Sequence, residues 1–161
     1  QVSDTDSDSL SQHGTDRIDF MVSANPGQPL QDLRKVASGG ELSRISLAIA
    51  LASSSDQQMP TLVFDEVDSG IGGATAETVG RYLRTLGQEA QVLCVTHLPQ
   101  VAAQAHHHLQ VAKRIEDGQT RTILNVLDEK ATIEEIARML GGAKVTKKSR
   151  QHAQEMLDSA V

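Results

Sequence analysis

The chain has 161 residues, about one domain's worth, and at 39% hydrophobic with only 2% aromatic it must build its core from Leu, Ile, Val, Ala and Met. That composition favours an α/β architecture over an aromatic-rich β-sandwich. A formal charge of −6 counts against a broad DNA-binding surface on this chain, and the single cysteine, Cys94, excludes an internal disulfide and a multi-cysteine zinc site; no membrane span of ~20 apolar residues is present, and a cytoplasmic protein is expected.

Gln1 to Thr15, rich in Ser and Asp, is expected to be a flexible segment, with residues 16–161 forming the folded lobe. The polar, acidic start shows no secretory signal pattern. Arg17 to Val22 places Ile18, Phe20 and Val22 on one side and predicts a short strand ended by an Asn25-Pro26-Gly27 turn, followed by a loop to Ser38. From Glu41 to about Ser53, Leu42, Ile45, Ala48, Ile49 and Ala52 recur at helical spacing. Thr61–Phe64 and Gln91–Val95 read as strands separated by a helical pattern through Val79, Leu83 and Leu86, so the two strands should be parallel and buried. Pro99 opens a short helix to about Ala105. His108–Lys113 and Thr120–Leu127 alternate around Glu116-Asp117-Gly118 as a hairpin, and Thr132–Leu140 and Thr146–Leu157 read as closing helices split by Gly141-Gly142.

Three short segments carry chemistry. The strand ending at Phe64 delivers Asp65 and Glu66 at its carboxyl end, where open α/β sheets bind ligands, and adjacent residues on an extended chain point apart, so one can serve a magnesium ion and the other an attacking water. An isolated acidic pair more often marks only the solvent end of a strand. Ser38-Gly39-Gly40-Glu41 opens a helix whose N–H groups and positive end suit a phosphate, although four such residues alone more often form an ordinary N-cap. Thr96-His97, directly after the second strand, sets a histidine at the same sheet edge as Asp65-Glu66.

Taken in order, these segments resemble the ATP-binding-cassette ATPases, with a signature loop at Ser38 to Glu41, a Walker B strand ending at Asp65-Glu66, a D-loop from Val67 to Gly70 and a switch histidine at His97. Within that superfamily the blocks Lys35–Ala48, Val63–Gly73 and Val95–Ala103 are similar to the SMC-like ATPases of bacterial DNA repair and recombination, a resemblance running from about Arg17 to the C-terminus. It implies the C-terminal lobe of an ABC-type, P-loop NTPase head, parallel strands flanked by helices plus a β-hairpin. It also implies ATP and Mg²⁺ as cofactors, with Asp65 assisting Mg²⁺, Glu66 as general base and His97 sensing the γ-phosphate. Ser38 and Gly40, in the loop with Gly39 and Glu41, would touch the γ-phosphate of ATP on an opposite head, and Asp68 would lie across the dimer seam. The implied partners are the N-terminal half of the same head, beyond a long coiled coil, a second head joined by ATP-dependent homodimerisation, and DNA through the full-length, nucleoid-associated protein; no membrane is implied.

One family feature is missing: none of the 12 glycines is followed by lysine, so the phosphate loop G-x-x-x-x-G-K-[ST] is absent and this chain alone should be catalytically incomplete. No aromatic or Gln-loop candidate precedes Ser38 either. Two other readings stand beside the leading one: a head fragment of another SMC-like machine, and a nonenzymatic dimerisation module. Gly70-Ile71-Gly72-Gly73 lacks the third glycine of a dinucleotide loop, His106-His107-His108 reads as a solvated turn rather than a metal site, and Lys144, Lys147, Lys148 and Arg150 read as a solvated helix face rather than a DNA contact.

Overall fold

The computed structural model describes residues 2–4, 16–23, 27–33, 38–53, 61–116, 119–142 and 144–160. They divide into two units, Gln1–Ser38 and Gly39–Val161. Most of the expected flexible start, the Asn25-Pro26 part of the first turn, Lys35 to Ala37 of the signature block and the hairpin tip at Asp117-Gly118 lie outside the described residues.

The first unit holds two small antiparallel pairs. Strand β1 (Val2–Asp4) pairs with β2 (Asp16–Ile18), and β3 (Met21–Val22) pairs with β4 (Gln31–Asp32). The single strand expected over Arg17–Val22 is therefore two, because each half takes a different partner. Within the expected loop, β4 forms, and the Leu33 N–H donates to the Phe20 carbonyl at 3.0 Å.

In the second unit, β5 (Thr61–Phe64) and β6 (Gln91–Cys94) are parallel, in register from Thr61 opposite Gln91 to Phe64 opposite Cys94. The ladder continues one step beyond, where the Val95 N–H donates to the Phe64 carbonyl at 3.0 Å. Parallel strands require a crossover, and α2 (Gly73–Leu86) supplies it, burying Ala76, Val79, Leu83 and Leu86 at helical spacing. Helix α1 (Gly39–Ser53) adds Leu47 and Ala50 to a core completed by Phe64, Val67 and Val101.

The stripe expected to face inward on α1 largely faces out. Leu42 and Ile49 are 42% and 57% exposed, while Gly40, Leu47 and Ala50 are the buried positions. The reason is compositional: α1 is apolar around most of its circumference, so periodicity does not choose a face, and Gly40 does. Similarly, β5 and β6 turn Leu62, Phe64, Val92 and Cys94 toward the core but leave Val63, Leu93 and Val95 exposed on the other side. Parallel sheets are ordinarily covered on both faces.

Helix α3 (Pro99–Ala102), shorter than the expected run to Ala105, lies close against α2. A Cβ on Gly80 would come within 2.8 Å of Gln104 Cγ and 3.1 Å of the Gln100 carbonyl, so only glycine permits this approach. Arg84 adds a 2.8 Å hydrogen bond to the Gln104 carbonyl. Strands β7 (His108–Glu116) and β8 (Gln119–Leu127) form the expected hairpin, longer than the alternation suggested. Helix α4 (Glu129–Gly141) begins earlier than Thr132, because the Asp128 carboxylate caps it by accepting from the Ala131 N–H at 2.7 Å. Helix α5 (Lys147–Asp158) starts at a Thr146–Ser149 capping box. Ile136 and Ala137 of α4, Ala153 of α5 and Ala102 form a second cluster.

Candidate functional site

The parallel pairing of β5 and β6 brings their carboxyl ends together, and the residues that follow them form the site. After Phe64 the chain turns sharply: the Ser69 N–H donates to the Glu66 carbonyl at 2.9 Å, and Glu66 itself adopts φ of 58°. A left-handed conformation in a non-glycine residue costs about 1–2 kcal/mol and usually falls to Gly or Asn. Here the Asp65 carboxylate steadies it by accepting from the Glu66 N–H at 2.9 Å. Both acidic side chains belong to exposed residues, as groups that meet a ligand must.

Helix α1 is fastened to this turn near its amino end. The Ser43 hydroxyl donates to the Asp65 carbonyl at 2.7 Å, and Arg44 Nη1 donates to the carbonyls of Val67 and Ser69 at 3.3 and 2.8 Å. Gly40 makes the approach possible, since a Cβ there would stand 2.9 Å from Ser69 Cβ and 3.0 Å from the carbonyl oxygens of Glu66 and Ser69. Gly39 leaves room for the Glu66 side chain, whose Oε2 lies 2.6 Å from where a Cβ on Gly39 would be. The first turn of α1, with Gly39, Gly40 and Glu41, thus carries the positive end of the helix beside the acidic turn. Ser38, the last residue of the first unit, precedes it directly in the chain.

Asp68 occupies a different environment from Asp65 and Glu66. It is 2% exposed, and its Oδ2 accepts from the Thr96 hydroxyl at 2.5 Å and the His97 N–H at 3.0 Å, with His97 Nδ1 at 3.2 Å. Burial pushes its carboxyl up, but the bonds from Thr96 and His97 outweigh that and hold it below the usual range. The Asp68 side chain is turned into its own chain, where its buried carboxylate takes the donors that Thr96 and His97 offer. The His97 side chain is 73% exposed.

Sequence reasoning brought Asp65, Glu66 and His97 to one sheet end; the structure adds Gly39, Gly40 and Asp68 beside them, with Thr96, Ser43 and Arg44, to which the sequence assigned no role. The available signal was the polar pair Ser43-Arg44 inside an otherwise apolar helix. Cys94 lies just inside the site, where burial and then the charges of Asp68 and Asp65 push its thiol up to about 11, as expected of a small buried hydrophobe. Among the described residues no helix is long and apolar enough to cross a membrane.

Residues 30–121 match the family model for the RecF/RecN/SMC N terminal domain. The chain is similar to the DNA repair protein RecN of Xylella fastidiosa (strain Temecula1 / ATCC 700964), 54% identical over 90% of this chain and 26% of that protein. The DNA repair protein RecN of Bacillus subtilis (strain 168) is 45% identical over 94% of this chain and 26% of its own length. The chain thus spans about a quarter of these curated relatives. Among solved structures, the Smc head domain with a coiled coil and joint derived from Pyrococcus yayanosii superposes with a TM-score of 0.57 at 21% identity, over 77% of this chain and 22% of that one. The fold is that of part of an SMC-type head.

Proposed function

The chain belongs to the RecF/RecN/SMC N terminal domain family, and from that premise we propose that it is the C-terminal lobe of an ATPase head in a DNA double-strand-break repair and recombination protein. The observation that carries this reading is the fastening of α1 to the acidic turn by Ser43, Arg44 and the close approach of Gly40. It makes one rigid piece of a helix end suited to phosphate and a carboxylate suited to activating water. The left-handed backbone of Glu66 supports the same reading, since a scaffold without chemistry has no use for a glutamate held at a position better suited to glycine.

The roles follow from the chemistry of each group. Glu66 accepts a proton from the attacking water. Backbone N–H groups at the amino end of α1, with the Ser38 hydroxyl before it, receive the γ-phosphate of a nucleotide carried by a second head, and His97 contacts the γ-phosphate of the nucleotide in its own head. Asp65, exposed at the end of β5, fits one magnesium ligand. An ion held there by one carboxylate would take its remaining ligands from the phosphates and water. Magnesium bound there supplies positive charge to the phosphate oxygens. The nucleotide's main cradle lies in the N-terminal half of the head, and the open sheet face at Val63, Leu93 and Val95 supports a partner of that kind. This chain alone should neither bind ATP tightly nor turn it over.

In the full-length protein, Glu66→Gln is expected to lower hydrolysis about a hundredfold or more while ATP-driven dimers accumulate. Ser38→Arg is expected to abolish both dimerisation and hydrolysis while ATP binding survives. Phosphate release measured beside light scattering with and without ATP reads both, and normal hydrolysis by Glu66→Gln would overturn the assignment.

A further inference from the structure

The phosphate contact proposed for His97 leaves open what holds the ring. We propose that Asp68 is the positioning residue of His97 within the same chain, fixing the ring through Nδ1 and leaving Nε2 as the atom offered to phosphate; this rests on the ATPase-head reading above. Three contacts converge on one carboxylate oxygen, Asp68 Oδ2: the Thr96 hydroxyl, the His97 backbone N–H and His97 Nδ1. A carboxylate oxygen only accepts, so a ring that hydrogen-bonds it from Nδ1, 3.2 Å away, must carry the proton on that nitrogen. The ring itself is largely exposed while its acidic partner is almost wholly buried, which leaves the far nitrogen toward solvent. An Nδ1-protonated ring that also donates from Nε2 to a phosphate oxygen is an imidazolium, and the buried carboxylate offsets that charge.

Thr96 completes the device. Its hydroxyl donates to Asp68 and accepts from the Leu98 N–H at 3.1 Å, so the turn after β6 is tied to the turn after β5 through one hydroxyl. The Thr96 hydroxyl and the His97 N–H hydrogen-bond Asp68 Oδ2, and the His97 ring stands beside it as a charge contact. The arrangement is that of a buried carboxylate orienting an imidazole by its second nitrogen, a relation in which losing the orienting group typically costs 10–100-fold or more in rate.

A double-mutant cycle in the full-length protein tests the assignment, with Asp68→Asn, His97→Gln and the pair measured for kcat, KM for ATP and ATP-driven dimerisation. Asp68→Asn is expected to lower kcat about 10- to 100-fold with KM within about threefold and dimerisation intact. The pair is expected to be no slower than His97→Gln alone, because Asp68 acts only through the ring. Ring ¹⁵N shifts should report Nδ1 protonated in the parent and mixed tautomers in Asp68→Asn. If Asp68→Asn fails to fold, Thr96→Val carries the same cycle, with a smaller loss that disappears in the His97→Gln background. Losses that multiply in the double variant, or dimerisation lost in Asp68→Asn, would overturn the proposal, the latter in favour of a contact across the seam. Parental turnover by His97→Gln would instead sink the switch-histidine reading, whereas an impaired His97→Gln beside an unimpaired Asp68→Asn sinks this inference alone.

Discussion

Helix α1 with residues 61–97, on one side, and residues 108–160, on the other, are built by opposite rules. In the closing hairpin and helices, each residue keeps to its usual preference: Asp128 caps α4, Thr146 and Ser149 cap α5, and Glu134 pairs with Arg150 at the surface. Glu135 is held below the usual carboxylate range by the Arg138 hydrogen bond, which together with one from Gln110 outweighs the opposing effect of burial. Around the sheet ends, by contrast, a glutamate takes a left-handed backbone, an aspartate is buried, and an arginine spends its donors on main-chain carbonyls. A sequence that follows local preference in one region and departs from it in another marks the second as the place where function constrains it.

The largest expected effect comes from Gly40→Ala, whose Cβ would press on main-chain oxygens at 3.0 Å; it should cost about 2–3 kcal/mol in urea unfolding. Gly141→Ala, in the other region, would meet Ser149 Cβ at an ordinary 3.5 Å near the end of α4, and should leave stability within about 1 kcal/mol of the parent. Equal losses would break the comparison. Next, Asp68→Asn should lower stability at neutral pH by about 1–2 kcal/mol. Because the folded-state pKa of Asp68 is lowered, the parent's advantage is present above the ordinary carboxylate value and disappears as pH falls through the lowered one, from about pH 4 downward. Acid titrations of the two proteins by circular dichroism should therefore converge at low pH. Thr146→Ala removes a helix cap and should cost about 1 kcal/mol by thermal unfolding. Smallest is Arg150→Met, which breaks a surface pair with Glu134 and should leave the urea midpoint unchanged.

Legibility divides along the same line. The strands β5 and β6 were readable because four-residue apolar runs flanked by turn signals have few alternatives, and once they were parallel neighbours Asp65, Glu66 and His97 had to share an edge. The hairpin and final helices were readable from alternation and glycine punctuation. What escaped depended on contacts distant in sequence. Thr96 and Asp68 meet across 28 positions, and Arg44 reaches Val67 and Ser69 across 23 and 25. The inward face of α1 escaped because Leu42, Ile45 and Ile49 compete equally with Leu47 and Ala50 until Gly40 is packed. The early start of α4 turned on a single cap, Asp128, which lies between the expected strand ending at Leu127 and the expected helix from Thr132.

The thiol of Cys94 has a practical consequence. With its pKa raised to about 11 and the side chain partly buried behind the acidic turn, only about one molecule in ten thousand carries the thiolate at pH 7. Maleimide dyes should pass it by under native conditions. A second cysteine placed on the exposed ring of residues around His97 or on the tip of α5 could then be coupled to a fluorophore without first removing the natural one, which leaves the packing behind the carboxylates untouched while distances within an assembling head are followed one molecule at a time.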